Sequence, residues 1–131
     1  MSGETNLDAL LRSLSARLDP DLYVFATVRG LRPADLSPRM VFEEAEGTTL
    51  ILRKAEAVAR GLDHAFPCRM ITLDVHSSLE AVGFIARIAT ELARHGMGVN
   101  PVSGFYHDHL FVPDGREDEA MTILARIAET A

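Results

Sequence analysis

Hydrophobic and polar positions follow helical spacing at the start of the chain and strand spacing soon after. The leucines at positions 7, 10, 11 and 14 lie three and four residues apart, which predicts an amphipathic helix over residues 5–17. We expect Asp19-Pro20 to end this helix, because the residue before a proline disfavours helical geometry. Residues 22–29 are rich in β-branched and aromatic side chains with both faces largely apolar, and they predict an interior strand.

A hairpin and a short helix are predicted next. Strands over residues 40–45 and 48–53 flank Glu46-Gly47, and a glycine there suits a tight turn. Residues 54–62 predict a short helix. Residues 64–67 contain a histidine and a proline, and we expect them to form a linker.

The second half of the chain gives a clearer pattern. Residues 69–75 alternate as a strand, and an apolar stripe predicts a helix over residues 79–95 that Gly96 and Gly98 end. A second hairpin is expected over residues 99–112, followed by a last helix over residues 116–130 with acidic residues in its first turn.

This order of elements predicts an α+β fold in which helices cover one face of a mainly antiparallel sheet. The second half is βαββα, one strand short of a ferredoxin-like βαββαβ unit, and the first half is βββα. We therefore predict two degenerate modules in one compact fold, residues 1–66 with the N-terminal helix and residues 67–131. Residues 22–29 are a candidate for the strand that the second module lacks.

Composition narrows the functional classes. The chain has 131 residues, of which 47% are hydrophobic, as expected for one compact domain. Thirteen basic and nineteen acidic residues give a net charge of -6, which disfavours nucleic-acid binding. The single cysteine, Cys68, fits a reducing cytoplasm, and no apolar run has the length of a membrane span or the form of a signal peptide.

The run GFIARIATELARHGMGVN resembles the central signature of ACT domains. Gly83 matches the glycine at the start of that signature's helix, and Asn100 matches the asparagine that opens its next strand. The longer strings FPCRMITLDVHSSLEAVGF and NPVSGFYHDHLFVP resemble a group of small bacterial proteins with paired ACT-like modules, and this likeness covers roughly residues 22–128. The resemblance implies ferredoxin-like regulatory modules that bind amino acids or similar small molecules between paired modules.

The polar residues near this signature are the candidate ligand site. The ligand-binding set is His76, Ser77, Ser78, Leu79, Glu80, Gly83, Asn100, Val102 and Ser103. Ser77 and Glu80 also match a helix capping box, which is compatible with a ligand because helix N-termini attract carboxylates. Asn100 suits either a ligand contact or a turn.

Other candidate chemistry is weaker. The run His107-Asp108-His109 contains metal-binding side-chain types, but two histidines without a third ligand make a poor site, so we expect a polar hairpin tip and no metal. Cys68 has no obvious base beside it, and Ser77 belongs to no triad. We therefore expect no enzyme activity, no catalytic residue and no cofactor.

These observations lead to two functional hypotheses. The first is a stand-alone ACT-like regulatory protein, a cytoplasmic homodimer that binds a small molecule, with an amino acid as the leading candidate, at a module or dimer interface. The second is a protein-interaction module whose pocket is filled by side chains such as Leu79 or Phe84. Neither hypothesis involves nucleic acid or a membrane.

Overall fold

The computed structural model describes residues 3–131 and contains four helices and six strands within that range. In chain order these are α1 Leu7–Arg12, β1 Ala16–Val28, β2 Met40–Glu43, β3 Thr48–Arg53, α2 Lys54–Ala59, β4 Asp63–Leu73, α3 Phe84–Arg94, β5 Asn100–Ser103, β6 Asp108–Pro113 and α4 Glu117–Thr130.

The chain forms two compact units. Unit 1 comprises residues 3–20 and 69–131, and unit 2 comprises residues 21–68. The long strands β1 and β4 each contribute one part to unit 1 and the other part to unit 2. The module boundary predicted after residue 66 stays a prediction.

Unit 1 has the strand order β1-β4-β6-β5. Its segment β4-α3-β5-β6-α4 is the predicted βαββα, and the first part of β1 supplies the additional strand beside β4. A backbone hydrogen bond of 2.6 Å from Asp74 N–H to the Ser15 carbonyl lies at the start of this pairing. The strand that completes this unit is therefore the first part of β1, residues 16–20, whereas residues 22–29, the candidate from the sequence, lie in unit 2.

Unit 2 has the strand order β4-β1-β3-β2. The predicted hairpin is confirmed, because β2 and β3 pair antiparallel from Met40↔Ile51 to Glu43↔Thr48. Strand β3 also pairs antiparallel with β1, and α2 packs on one face of these strands through Ala57. The small core on that face consists of Val24, Ala26, Leu50, Leu52 and Ala57.

The core of unit 1 lies between three helices and one face of β4 and β6. Strand residues such as Ile71 and Leu110 are fully buried there, against Leu10 of α1, Ile88 of α3 and Leu124 of α4. Helices thus cover one face of antiparallel strands in each unit, which confirms the predicted α+β, ferredoxin-like class.

The N-terminal helix is shorter than predicted. Helix α1 ends at Arg12 and β1 already begins at Ala16, so the expectation that Asp19-Pro20 ends the helix is wrong. Leu10 and Leu11 are buried as the stripe predicted, and Leu14 is buried just beyond the helix. Three leucines therefore enter the core although α1 has fewer than two helical turns.

Residues 64–67 are not a linker, because they lie inside β4. The strand contains one irregular residue, Phe66, whose φ of 61° is in the left-handed region. Pro67 lacks a backbone N–H for a neighbouring strand. Because both residues are unfavourable in a regular strand, composition alone did not predict that β4 extends through them.

Candidate functional site

The start of α3 is set by a glycine and not by a serine. Gly83 has φ 90°, and the helix begins at Phe84 without a side-chain cap, so the predicted helix start at residue 79 and the capping role of Ser77 with Glu80 are wrong. Ser78 Oγ instead accepts a hydrogen bond of 3.1 Å from Glu80 N–H in the preceding loop. The first-turn amides of α3 therefore have no acceptor from the helix or from a cap.

A cavity of about 220 Å³ lies at this end of α3, wholly within unit 1. It is lined by the strand-to-helix loop, the first turn of α3 and the two strands β5 and β6. The lining residues are Ser77, Ser78, Leu79, Ala81, Gly83, Phe84, Ile85, Ala86, Ser103 and Asp108. Five members of the predicted ligand set thus come together here, namely Ser77, Ser78, Leu79, Gly83 and Ser103.

Four members of the predicted set do not line the cavity. The His76 ring lies 5.5 Å from the Tyr106 ring. Glu80 is exposed in the loop, and Asn100 is exposed on β5 opposite Phe111. Val102 is half-buried opposite His109, because alternate residues of β5 face opposite ways and Ser103 takes the position beside Asp108.

Asp108 is the polar cavity residue that the sequence did not reveal. It begins β6 opposite Ser103, is only 6% exposed, and accepts a hydrogen bond of 3.0 Å from Ser77 Oγ. An acidic residue between two histidines at a hairpin suggests an exposed tip. Successive residues of a strand face opposite sides, and this alternation places Asp108 on the buried face of β6. The short apolar run after Asp108 was the sequence signal from which its burial could have been predicted.

The two neighbouring histidines have structural partners. His109 Nδ1 lies 2.9 Å from Thr72 Oγ1, and His107 Nδ1 lies 3.5 Å from the Val75 carbonyl oxygen. His107 Nε2 is also 4.0 Å from Asp74 Oδ1. Among residues 3–131, no group of three histidine, cysteine or acidic side chains could hold a metal ion.

The start of the chain is joined to the loop that lines the cavity. Glu4 N–H donates to the His76 carbonyl and Ser78 N–H donates to the Glu4 carbonyl, both at 2.9 Å. Gly3 comes so near this loop that a Cβ on it would lie 2.6 Å from Ser78 N. We call this contact of Gly3 and Glu4 with residues 76–78 the N-terminal clasp.

The Glu4 side chain stabilises the turn that leads from the clasp into α1. Its carboxylate accepts hydrogen bonds of 2.9 Å from the backbone N–H groups of Thr5 and Asn6. These two bonds, that from Asn6 first, hold the pKa of Glu4 below its ordinary value of 4.5. Asn6 in turn caps α1, since its Oδ1 accepts from Ala9 N–H at 2.9 Å.

Two family models, both described as ACT domain, match the chain, one over residues 2–69 and the other over residues 65–126. The chain belongs to the ACT-domain family. ACT domains are typically regulatory, ligand-binding modules, and many dimerise. The resemblance read from Gly83 to Asn100 is thereby confirmed. No curated protein matches the chain.

Solved structures share this ACT fold over most of their length. A Vibrio cholerae protein of unknown function, described as a possible transport protein, is 42% identical with a TM-score of 0.84, covering 93% of this chain and 95% of that one. An Agrobacterium tumefaciens protein is 15% identical with a TM-score of 0.75, covering 88% and 89%. The regulatory subunit of aspartate kinase from Thermus flavus is 7% identical with a TM-score of 0.61, covering 86% and 95%.

No helix within residues 3–131 combines the length and the apolar character needed to cross a bilayer.

Proposed function

We propose that this ACT-domain protein is a regulatory protein that binds a small molecule, with an amino acid as the leading candidate, in the cavity at the start of α3. The observation that carries the proposal is the composition of the cavity wall. It combines the start of α3, residues 83–86, with three serines, Ser77, Ser78 and Ser103.

The wall of the cavity suits the carboxylate of such a ligand. The amides at a helix N-terminus have no internal acceptor, and the helix dipole favours a negative group there. Serine hydroxyls both donate and accept hydrogen bonds and can therefore hold polar atoms of either kind. A volume of about 220 Å³ is below the ~300–1,000 Å³ typical of sites for drug-sized ligands, so a small metabolite fits better.

The rest of the predicted set belongs to an extended form of the site. His76, Glu80, Asn100 and Val102 lie outside the cavity wall, and we assign them to contacts that a larger ligand or a second copy of the chain would make. A homodimer would bring such a second copy to this region. Size-exclusion chromatography with light scattering tests this, and a strictly monomeric protein at high concentration, with and without ligand, would contradict the shared site.

Regulation would follow from selective binding. A ligand shifts a conformational or assembly equilibrium only through a difference in its affinity for the two states. The cavity wall contains the loop that the N-terminal clasp holds, so a ligand contact with Ser77 or Ser78 would stabilise one arrangement of that loop. A cytoplasmic location is part of the same proposal, since free amino acids are available there.

Differential scanning fluorimetry against the twenty amino acids tests the proposal directly. A ligand that binds only the native state adds about 2.7 kcal/mol at a concentration of one hundred times Kd, which raises Tm measurably. Ala86→Leu would fill the cavity from the first turn of α3, and Ala93→Leu places the same side chain on an exposed position of the same helix outside it.

We expect a ligand-induced rise in Tm for the wild type and for Ala93→Leu, and no rise for Ala86→Leu. An equal rise in all three proteins would show that the ligand binds elsewhere. If no amino acid changes Tm at millimolar concentration, the amino-acid proposal fails.

A second candidate function is a protein-interaction module without a ligand. Four large apolar side chains near the site are exposed: Leu79 at 65%, Val82 at 84%, Phe105 at 61% and Tyr106 at 63%. The Phe105 and Tyr106 rings contact each other, with centroids 4.9 Å apart, and contiguous exposed apolar groups favour a protein partner. A partner that co-purifies in fixed stoichiometry and is lost with Leu79→Asp, from a protein that binds no amino acid, would support this alternative.

A further inference from the structure

We infer that unit 2 contains a second ligand site, a groove beside α2 that binds an alkyl carboxylate through an apolar wall and through Arg53 and Lys54. The groove has a volume of about 620 Å³ and lies wholly within unit 2. This volume is in the range of ~300–1,000 Å³ typical of small-molecule sites. The groove is separate from the cavity at the start of α3, which belongs to unit 1.

The wall of the groove is mainly apolar. Leu22 of β1 contributes to it, together with Ala55, Val58 and Ala59 of α2. The three α2 residues lie three and four positions apart and share one side of the helix, and all three are exposed, Val58 at 58%. Ala57 of the same helix already packs into the core of unit 2. Because a surface helix normally presents polar residues to water, a second apolar side on α2 favours contact with an apolar ligand.

Two cations without an ionic partner lie on the same wall. Arg53 ends β3 and Lys54 begins α2, and both residues line the groove. Within residues 3–131, no carboxylate oxygen lies within 4.0 Å of a side-chain nitrogen of either residue. Arg53 is the N-cap residue of α2, but its side chain makes no capping hydrogen bond. Both charges are therefore available to an anionic ligand.

The charges of the groove select the head group of the ligand. The chain has a net charge of -6, whereas the groove is lined by two basic residues and one acidic residue, Asp21, which has an interaction of its own within the fold. A carboxylate can pair with Arg53 and Lys54 while the alkyl chain covers the apolar wall. An alkylamine would instead bring a third cation to this place. A short carboxylate such as acetate would leave the apolar wall in water.

The test compares ligands of matched length on the intact protein. The probes are octanoate, its neutral amide octanamide, and acetate. Two ion pairs at a surface should make octanoate bind about 2–30-fold tighter than octanamide in titration calorimetry. Acetate should bind more weakly than either, and octanoate should change the NMR shifts of the amides of residues 53–59. Raising the salt concentration should reduce the preference for octanoate over octanamide.

Matched variants locate the site. The double variant Arg53→Gln, Lys54→Gln should bind octanoate and octanamide about equally. The double variant Arg29→Gln, Arg32→Gln removes the same charge from exposed positions outside the groove and should keep the wild-type ratio. Ala55→Leu should weaken both ligands by filling the groove, whereas Ala93→Leu, on the exposed side of α3, should not. Ala86→Leu, which fills the cavity of unit 1, should bind octanoate like the wild type.

The outcomes separate this site from the cavity at the start of α3. Octanoate that binds no tighter than octanamide, or that does not bind at millimolar concentration, would overturn the inference. An equal loss of the preference in both double variants would also overturn it, since only the net charge of the chain would then matter. Loss of octanoate binding in Ala86→Leu, with binding retained in Ala55→Leu, would place the ligand in unit 1 and refute the groove. None of these results would affect amino-acid binding at α3.

Discussion

The N-terminal clasp can be opened by adding a single methyl group. Gly3 and Gly115 have nearly the same backbone, with φ of 95° and 94°. Alanine at either position would therefore bear a similar left-handed penalty of about 1–2 kcal/mol. A Cβ at Gly115 meets nothing within 4 Å, whereas one at Gly3 would lie 2.6 Å from Ser78 N and 2.8 Å from the Ser77 carbonyl carbon. Because those atoms are backbone, Gly3→Ala should detach the clasp.

The expected size of the effect follows from the bonds that are lost. Detachment removes the two backbone hydrogen bonds between Glu4 and residues 76–78, worth about 0.5–1.5 kcal/mol each, or about 1–3 kcal/mol together. This loss of free energy corresponds to an increase of about 5–150-fold in the equilibrium constant for local opening of the clasp. Hydrogen exchange measured by NMR should show faster exchange of the Ser78 amide in Gly3→Ala, because its acceptor is the Glu4 carbonyl.

Gly115→Ala is the control for this prediction. It should lose a comparable amount of stability from backbone strain while the Ser78 amide exchanges at its wild-type rate. A Ser78 amide that is equally protected in both variants would refute the reasoning, because the steric clash would then have no effect on the clasp.

Three further predictions concern charge and packing. Because the folded-state pKa of Glu4 is lowered, the Glu4 carboxylate stabilises the fold above its ordinary pKa of 4.5, and this stabilisation is lost as pH falls through the lowered pKa. In an NMR titration, the chemical shifts of the Thr5 and Asn6 amides should change over the same pH range. The Glu4→Gln variant should show no such change. Ile88→Ala creates a cavity at a fully buried position and should lower the free energy of unfolding, measured by urea denaturation, by about 2–5 kcal/mol. Val82→Ala, at a position that is 84% exposed, is the control and should change this free energy by less than about 0.5 kcal/mol. Ser77→Ala removes the donor to a buried carboxylate and should cost about 1–3 kcal/mol in the same assay, with the exposed Ser103→Ala near neutral as its comparison.

Short-range sequence patterns predicted most of the secondary structure. The hairpin around Glu46-Gly47 and the final helix follow from turn chemistry and from an amphipathic stripe, which short segments of sequence contain in full. The ACT signature was also visible because its glycine and asparagine positions are defined relative to one helix. Properties of this kind depend little on the distant parts of the chain.

Long-range contacts decided the features that the sequence did not predict. Leu14 continues a helical stripe, yet residues 16–20 pair beside β4, and that pairing ends the helix early. Ser77 looked like a helix cap, but its hydroxyl bonds to Asp108, which is 31 residues away. The buried state of Asp108 depends on the register of β5 with β6 and cannot be read from the run His107-Asp108-His109.

The two strands that pass through both units limit how this protein can be divided or recombined. A fragment of residues 69–131 would contain the βαββα order from the second part of β4 onward, yet it would lack Leu10, Leu11 and Leu14 of its own core. It would also expose the edge of β4 that residues 16–20 cover, and an unpaired strand edge promotes aggregation. Gene fusions or domain exchanges that cut within residues 65–69, where the two family matches overlap, should therefore yield insoluble products, and the pair of modules should be transferable only as a whole.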